Sequence, residues 1–419
     1  MKRSLGLYFP WRRCSALALA ACLPGCVLLD LRKSGQEQQR HGAVALQVAG
    51  RPAGIPAYAV ALSSGKVVAS QLVPDDGITA FLLPVGETYA IAVFSDRNRN
   101  RRFDTGELSA WHEGATPIAL SDAGYRGTAI PVTLQPANQG VPPGLSLPIV
   151  NAKEPDAMDV HLGEVVSLKD PRFSAKNGSL GFWQPYEFLT QLGWGIYFLQ
   201  PYDPGKIPVL FVYGIDGSPQ DWKSMIGSLD RTRYQPWFYH YPSGLRLEKS
   251  ANGLSRAMQV LKARYGFSRL YVVAHSMGGL VSRGGIEQAA AEAGENFIPK
   301  FVSLCTPWGG DAAADGGVKH LKYPVPAWID LQPGSPYLKQ IFVRKLPAGT
   351  RHSLIFDFQT HTAPWLKPDN DGVVQVKSEL FPAAQAEAVR MFGFNYEHVE
   401  TLGKSDVHAK VNEYLNLPE

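Results

Sequence analysis

Cysteine is scarce in this sequence. There are four in 419 residues, and three of them stand near the start of the chain, at Cys14, Cys22 and Cys26. The remainder has Cys305 alone, which excludes an internal disulfide framework there. The sequence also lacks a phosphate-binding glycine-rich loop, an HExxH motif and a cysteine pair of zinc-site spacing. Because Cys305 follows a predicted strand, we expect it to be a buried small hydrophobe.

Most of the chain also lacks a net charge. The formal charge is +4, and four basic residues precede Cys26: Lys2, Arg3, Arg12 and Arg13. No acidic residue accompanies them, so the chain from Cys26 onward is formally neutral. A neutral chain gives no electrostatic basis for binding nucleic acid, and we therefore expect no nucleic-acid partner.

Residues 1–25 have the layout of a secretory signal, with basic residues before a short apolar stretch, Cys14–Leu23. That stretch is too short to span a membrane. It ends in LPGC, which resembles the lipobox of bacterial lipoproteins, with proline as an uncommon residue in its place. The resemblance implies a signal peptide over residues 1–25 and lipidation of Cys26, for example with palmitate. An ordinary signal peptide or an uncleaved anchor is the alternative.

A lipidated Cys26 would hold the protein on a membrane, and the polar residues of 26–42 would then form a flexible tether. Val27 follows the cysteine in place of an aspartate. By the same resemblance, this favours the outer membrane of the bacterial cell envelope. The membrane is thus an expected partner through Cys26, whereas the sequence indicates no particular protein partner.

Residues 43–135 show short apolar runs split by turn signals, which predicts a small antiparallel β-sandwich. The region weakly resembles prealbumin-like modules. Oxygen-bearing side chains follow the spacing of a calcium loop at Asp96, Asn98, Asn100, Asp104 and Glu107. A structural calcium ion is one interpretation. Arg101 stands where such loops carry glycine, so a hairpin closed by its own side-chain hydrogen bonds is the other.

Residues 136–180 are interrupted by prolines and turn signals, which predicts a linker. The aromatic stretch Phe182–Trp194 follows, and core or domain-interface packing is favoured over a substrate-binding patch. From Gly195 onward, apolar runs of strand length alternate with helical patterns. This alternation predicts a mostly parallel sheet with helices on both faces, in a catalytic domain over 181–419.

The segment LYVVAHSMGGL, Leu270–Leu280, reads as a strand, a tight turn with Ser276 at its tip, and a helix. Such a turn needs small residues beside the serine because its strained backbone leaves little space. Ala274 and Gly278 supply them, giving A-x-S-x-G where the usual nucleophile elbow has G-x-S-x-G. A glycine-rich turn with an incidental serine is the alternative.

A nucleophilic serine needs a base and a third group that orients the base. Asp371 stands in a DGVV turn that resembles the DGxV turn presenting the acid in many lipases, with Asp369 as an alternative. His398 follows the last predicted strand, in the loop where α/β hydrolases place their histidine. His275 adjoins the serine, but we expect its side chain to point away from the base's position.

The loop after the predicted strand Val209–Tyr213 continues as GIDGSPQDW. It resembles the HGxxGSxxxW loop of bacterial lipases, with Tyr213 in place of histidine. By that resemblance the backbone N–H of Ile215 is one oxyanion donor, and the N–H of Met277 is the other. Together these motifs resemble the lipase/esterase-like branch of the serine α/β hydrolases, whose fold we expect behind the β-sandwich. The insertion at 309–351 is predicted to be a lid.

The predicted reaction is hydrolysis of a carboxylic ester without a cofactor. Ser276 attacks the acyl carbon, His398 transfers the proton and Asp371 stabilises the imidazolium. The apolar insertion and the predicted membrane anchor favour acyl lipids or other hydrophobic esters as substrates. The same machinery serves an acyltransferase or an amidase, and a tethered scaffold with an inactive hydrolase fold is an alternative of a different class.

Overall fold

The computed structural model describes residues 41–74, 77–112, 118–120, 129–136, 141–142, 144–147, 157–321, 324–359 and 369–419. The predicted signal peptide, Cys26 and the predicted tether up to residue 40 lie outside these ranges. Among the helices in these ranges, none combines the length and the apolar character that crossing a membrane requires.

The N-terminal part of the described chain forms two small sheets. Their strands are β1 (His41–Ala49), β2 (Ala57–Ser63), β3 (Lys66–Leu72), β4 (Ile78–Pro84), β5 (Thr88–Ser95), β6 (Ser109–Trp111), β7 (Ile118–Ala119), β8 (Ile130–Thr133) and β9 (Ala157–Met158). One sheet has the order β8-β1-β4-β9, and the other has the order β3-β2-β5-β6 with β7 beside β5. Most neighbours are antiparallel, whereas β1 and β8 are parallel.

The two sheets share one apolar core. Along β1 the buried residues alternate, so that Val44, Leu46 and Val48 pack into the same cluster as Ala59 and Ala61 of β2. A period of two places one set of side chains on each face of a strand. The predicted small all-β domain is therefore confirmed.

A third sheet, of eight strands, follows. Its strands are β10 (Val160–Val165), β11 (Trp194–Phe198), β12 (Ile207–Val212), β13 (Tyr234–His240), β14 (Tyr271–His275), β15 (Lys300–Leu304), β16 (Arg351–Asp357) and β17 (Ala388–Phe394). The order is β10-β11-β13-β12-β14-β15-β16-β17. The strands from β13 to β17 are parallel, and β11 is antiparallel to β13. The central strands are buried along their whole length, as parallel strands covered on both faces are.

Helices connect these strands. They are α1 (Ala175–Trp183), α2 (Pro185–Leu192), α3 (Lys223–Gly227), α4 (Leu247–Tyr265), α5 (Met277–Ala293), α6 (Ala312–His320), α7 (Pro326–Leu331), α8 (Pro336–Ile341), α9 (Val376–Glu379), α10 (Pro382–Glu387) and α11 (Ser405–Asn416). On α4, Leu254, Met258 and Leu261 recur at helical spacing and are buried. The helix ends at Gly266, whose left-handed backbone, with φ 66°, caps it.

The stretch predicted as a linker differs from that prediction. Within 136–180, β9 pairs with β4 of the small sheet, and β10 pairs with β11 of the large one. One residue separates the two strands, so the described chain passes directly from one sheet into the other. The sequence VHLGEV of β10 is short, half polar and interrupted by Gly163, and for this reason its strand pattern is weak.

Most of the insertion over 309–351 is packed against the core around the eight-stranded sheet. The Tyr337 hydroxyl donates to the carbonyl of Leu280 at 3.1 Å, which joins α8 to α5. Asp330 accepts two hydrogen bonds from the Arg246 guanidinium, at 2.6 and 2.9 Å, and so joins α7 to the start of α4. In this conformation the insertion is a packed layer, and its role as a lid stays a prediction.

Arg283 on α5 is buried and forms a two-point ion pair with Glu387, at 2.6 and 2.9 Å. We expect Glu387→Ala to lower the free energy of unfolding by about 3 kcal/mol, because it leaves a buried guanidinium without its counter-charge. Glu295→Ala is the matched control, since Glu295 is 60% exposed in its pair with Lys262 and its loss costs under about 0.5 kcal/mol. Urea unfolding measures both, and equal losses would contradict the assignment.

Candidate active site

Ser276 lies at the turn between β14 and α5, in the left-handed region at φ 55°. Its N–H donates to the carbonyl of Leu304 on β15 at 2.8 Å, which fixes the turn against the sheet. A Cβ on Gly214 would approach the Cβ of Ser276 to 2.6 Å, and one on Gly278 would approach the carbonyl oxygen of Val212 to 2.4 Å. Only glycine fits at these positions. The predicted strand–turn–helix geometry is present, with the serine side chain at its tip.

The structure brings together the three side chains predicted for catalysis. The Ser276 hydroxyl lies 2.8 Å from Nε2 of His398, and Nδ1 of His398 donates to Oδ2 of Asp371. All three residues are buried, with Ser276 keeping 8% of its surface exposed. Such an alignment leaves the Nε2 lone pair facing the serine hydroxyl, as a general base requires.

Asp371 is held in a tight turn. Its Oδ1 accepts the backbone N–H groups of Val373 and Val374 at 2.9 and 2.6 Å, and its carbonyl accepts the N–H of His398 at 2.9 Å. The acid and the histidine are therefore joined through the backbone as well as through their side chains. Asp369, the alternative acid, is exposed outside this arrangement.

The pKa of His398 reflects two opposed effects. Burial lowers it, but the charge of Asp371 and the hydrogen bond to that carboxylate raise it further, and the net pKa lies above the ordinary 6.5. The imidazolium that forms during proton transfer is thereby stabilised where it is needed.

The two backbone groups predicted as oxyanion donors belong to two segments that meet at Ser276. Met277 begins the 17-residue helix α5, whose N-terminus carries partial positive charge. Ile215 lies in the loop after β12, directly after Gly214, which contacts the serine. Within the part of the chain that the structure describes, neither N–H donates to an acceptor. Both amides thus keep a free donor.

The loop that carries Ile215 is anchored by buried tyrosines. The Tyr213 hydroxyl donates to the carbonyl of Tyr241 at 2.5 Å, and the Tyr241 hydroxyl donates to the carbonyl of Tyr213 at 2.7 Å. The next residue in the loop after Ile215, Asp216, has φ 55° and donates its N–H to the Ser243 hydroxyl at 3.0 Å. Tyr213, which replaces the histidine of the resembled loop, therefore fixes the loop's base.

His275 departs from expectation. Its side chain does not point away from the base: Nε2 donates to the carbonyl of His398 at 2.8 Å, and the two rings lie 4.8 Å apart. Burial lowers the pKa of His275 to about 3, so the ring stays neutral and keeps one N–H for this bond. The alternating pattern of a strand does not reveal it, because the contact is made with a loop that comes 123 residues later.

A buried carboxyl that the sequence did not predict lies close to Asp371: ligand atoms of Glu379 and Asp371 are within 4.8 Å of each other. Burial first, and then the charge of Asp371, raises the pKa of Glu379 well above its usual range. Oε2 of Glu379 accepts the N–H of Asp357 at 3.1 Å. Cys305 is buried, as predicted, and its thiol donates to Asp357 at 3.2 Å. Glu379 stands in no motif, so its position emerges only from the fold.

The predicted calcium loop is closed by its own hydrogen bonds. Asp96 accepts the N–H groups of Asn100 and Arg101 at 3.0 and 2.9 Å. Asp104 accepts the side-chain amides of Asn98 and Asn100, and Glu107 accepts the N–H groups of Arg97 and Asp104. These contacts fit the alternative that the loop is held by side-chain hydrogen bonds. A calcium ion there stays a prediction.

Two other groups of histidine, cysteine and acidic side chains lie close enough together to hold a metal ion. Among the residues that the structure describes, they are His275 with Cys305 and His398, and Cys305 with Asp371 and Glu379. Both groups use side chains of the serine site itself. His398 and Asp371 are hydrogen-bonded to each other, and Cys305 is bonded to Asp357, so we assign these groups no metal.

Part of the chain matches the model of a known protein family. Residues 254–399, which are 146 of the 419 residues, match the family model of lecithin:cholesterol acyltransferase. The matched range contains Ser276, Asp371 and His398. No curated protein matches the chain.

Solved structures with similarity include lipase BlEst2 of Bacillus licheniformis in its mature form, with 19% identity and a TM-score of 0.43 over 52% of this chain and 97% of that one. The lin2722 gene product of Listeria innocua has 17% identity and a TM-score of 0.40, covering 51% and 95%. Phospholipase PlaB of Legionella pneumophila has 17% identity and a TM-score of 0.33, covering 42% and 45%. At such values these likenesses do not bear on activity.

The fold class follows from the chain's own features. The strand order, with Ser276 at the turn after β14 and an acid and a histidine on later loops, is the α/β-hydrolase arrangement. The chain has the α/β-hydrolase fold, preceded by a small all-β domain, and the predicted fold class is confirmed.

Nuclear magnetic resonance titration of the histidines tests the site without a substrate. We expect the pKa of His398 to lie above 6.5 in the wild type, and to fall below 6.5 in Asp371→Asn, where burial acts without the opposing carboxylate. His275 is the internal control, because it stays neutral down to about pH 3 in both proteins. A His398 pKa unchanged by Asp371→Asn would contradict the geometry.

Proposed function

We propose that the protein is a serine hydrolase that cleaves carboxylic esters. The observation that carries this proposal is the hydrogen-bonded series Asp371–His398–Ser276, with the serine at the tip of a strained turn. The family match supports an ester-acting hydrolase or acyltransferase. No group beyond the chain's own side chains and water is needed for the steps below.

The geometry supports acyl transfer in two stages. Neutral His398 takes the hydroxyl proton while Ser276 Oγ attacks the acyl carbon, and Asp371 stabilises the resulting imidazolium. The N–H groups of Ile215 and Met277 receive the negative charge that develops on the carbonyl oxygen, each contributing roughly 10²–10³ in turnover. The imidazolium then protonates the leaving alcohol. Water, activated by His398, attacks the acyl-enzyme and releases the carboxylic acid.

Hydrophobic esters are the substrate class that we favour. The insertion over 309–351 contributes apolar side chains around the hydrolase core, including Trp328 and Leu331. Lipidation of Cys26 would place the site at a membrane, in the outer membrane of a bacterial cell envelope. An acyl lipid would then reach the site from the surface to which the enzyme is anchored.

Acyl transfer to an alcohol is the second candidate, and the family match favours it, because that family is described as an acyltransferase. Both reactions share the acyl-enzyme and differ in the acceptor that attacks it. An inactive scaffold with the same fold is the remaining alternative, and it predicts no acyl-enzyme at all.

A fluorophosphonate probe tests the nucleophile. We expect the wild type to be labelled at Ser276, and Ser276→Ala to lose both the label and the hydrolysis of a p-nitrophenyl ester, by about 10³-fold or more in kcat, because a triad acts as a unit. Ser282→Ala is the matched control: Ser282 lies buried on the same helix, outside the site, and its loss should leave both readouts unchanged. Equal labelling of wild type and Ser276→Ala would refute the assignment.

Product analysis separates hydrolysis from transfer. With a p-nitrophenyl ester and a long-chain alcohol present together, a hydrolase releases mainly the free carboxylic acid, because water reaches the acyl-enzyme. We expect the acid to dominate. A product ratio in which the alcohol ester exceeds the acid, and rises with alcohol concentration, would establish the transferase instead.

A further inference from the structure

A cavity of about 130 Å³ lies between the small β domain and the hydrolase sheet, away from Ser276. The β1–β4 sheet forms one wall, and α4 with the strands β11 and β13 forms the other. The Lys249 ammonium donates to the carbonyl of His41 at 3.2 Å, so the two walls are joined at the start of β1. The enclosed surface is overwhelmingly apolar.

The wall from the small domain is built from small side chains. On the outer face of the sheet, Ala43 lies opposite Leu82 and Ala45 opposite Ala80, with Ile78 at the end of the row. The inner face of β1 carries Val44, Leu46 and Val48 in the sandwich core. An interface that served packing alone would fill this space, because protein interiors are close-packed. The alanines on β1 and β4 instead leave a groove along the outer face of the sheet, which we call the trough.

The wall of the cavity on the hydrolase side includes a glycine within a helix. Gly253 lies in the middle of α4, where glycine costs about 1 kcal/mol relative to alanine. A Cβ there would come within 2.8 Å of the Tyr239 hydroxyl and 3.2 Å of the Trp194 ring. The absence of a side chain at Gly253 therefore allows Tyr239 and Trp194 to pack directly against the backbone of α4. Trp194 belongs to the aromatic stretch for which domain-interface packing was predicted, and it lines the cavity.

The cavity has a polar side. Asn252 and Arg256 of α4 line both this cavity and a neighbouring pocket whose other walls are Glu248, Gln288 and Glu292. The charged side chains of α4 that line the cavity itself, Lys249 and Arg256, are both cationic. A ligand with an alkyl chain in the cavity would thus have an anionic head group beside cationic side chains. From Ile78 to Leu82 the trough runs about 14 Å, at about 3.4 Å per residue, which suits a medium-length alkyl chain.

The loop 241–245 connects this cavity to the oxyanion loop. Tyr241, Pro242 and Leu245 line the cavity. Between them, the Ser243 hydroxyl accepts the N–H of Asp216, the residue after Ile215. A ligand that orders this loop would act on the position of the Ile215 amide.

We infer that this cavity is a binding site for the alkyl chain of a fatty acid, with the carboxylate at Asn252 and Arg256. The site is separate from the acyl position at Ser276. It does not depend on Ser276 being a nucleophile, so it survives or fails independently of the proposed reaction.

Photolabelling tests the site in the full chain carrying Ser276→Ala, which removes acylation as a source of label. The probe is dodecanoic acid with a diazirine at its methyl end, and lauric acid is the competitor. We expect saturable adducts on peptides of β1, β4 or α4, lost when lauric acid is in excess. Adducts confined to the peptides around Ser276, or labelling that lauric acid does not reduce, would overturn the inference.

A variant whose larger side chain fills the cavity provides the matched comparison for the labelling experiment. We expect Ala80→Phe to weaken the labelling about tenfold, because its ring removes the alkyl contact surface from the trough. Ala119→Phe, at an exposed position of β7 in the same domain, should label like the parent. If Ala80→Phe does not unfold cooperatively, Ala45→Leu on the neighbouring strand replaces it. Undiminished labelling of a folded, filled variant would also overturn the inference.

Discussion

The close approach of β12 to the turn at Ser276 is the constraint on which the site depends. The serine adopts a left-handed backbone so that its side chain stands clear of the sheet, and glycine at 214 and 278 lets the neighbouring strand pass within contact distance. Ile215 follows Gly214 and Met277 follows Ser276, so the same approach brings the two segments that carry these amides together. One packing requirement therefore sets the positions of Ser276 and of the two residues predicted to supply the oxyanion donors.

The second feature on which the site depends is a group of buried polar side chains that pack behind Ser276. His398 is held by Asp371 through its side chain and its backbone, and by neutral His275 through its carbonyl. Burial and the charge of Asp371 raise the pKa of Glu379, which favours a neutral carboxyl close to that carboxylate. Burial thus acts differently on these side chains: it favours the neutral forms of Glu379 and His275, whereas pairing with Asp371 outweighs it at His398.

The sequence was most informative where chemistry restricts residue choice. Ser276, Asp371 and His398 were predicted from turn motifs and their order, and the structure places them in contact. The helix α5 after Ser276 was predicted because the strand, turn and helix of the elbow are local signals. His275 and Glu379 carry no local signal, since their partners are distant along the chain. Strand β10 was missed because an edge strand with polar residues and a glycine lacks a clear hydrophobic pattern.

Trapping the acyl-enzyme tests the central claim most directly. A p-nitrophenyl ester is mixed with the full chain, the reaction is quenched in acid within milliseconds, and the digest is analysed by mass spectrometry. The account predicts the mass of one acyl group on the peptide that contains Ser276, appearing with the first equivalent of p-nitrophenol and decaying as carboxylic acid forms. Turnover of the ester with no acyl group at Ser276, or with the acyl group on another residue, would contradict it.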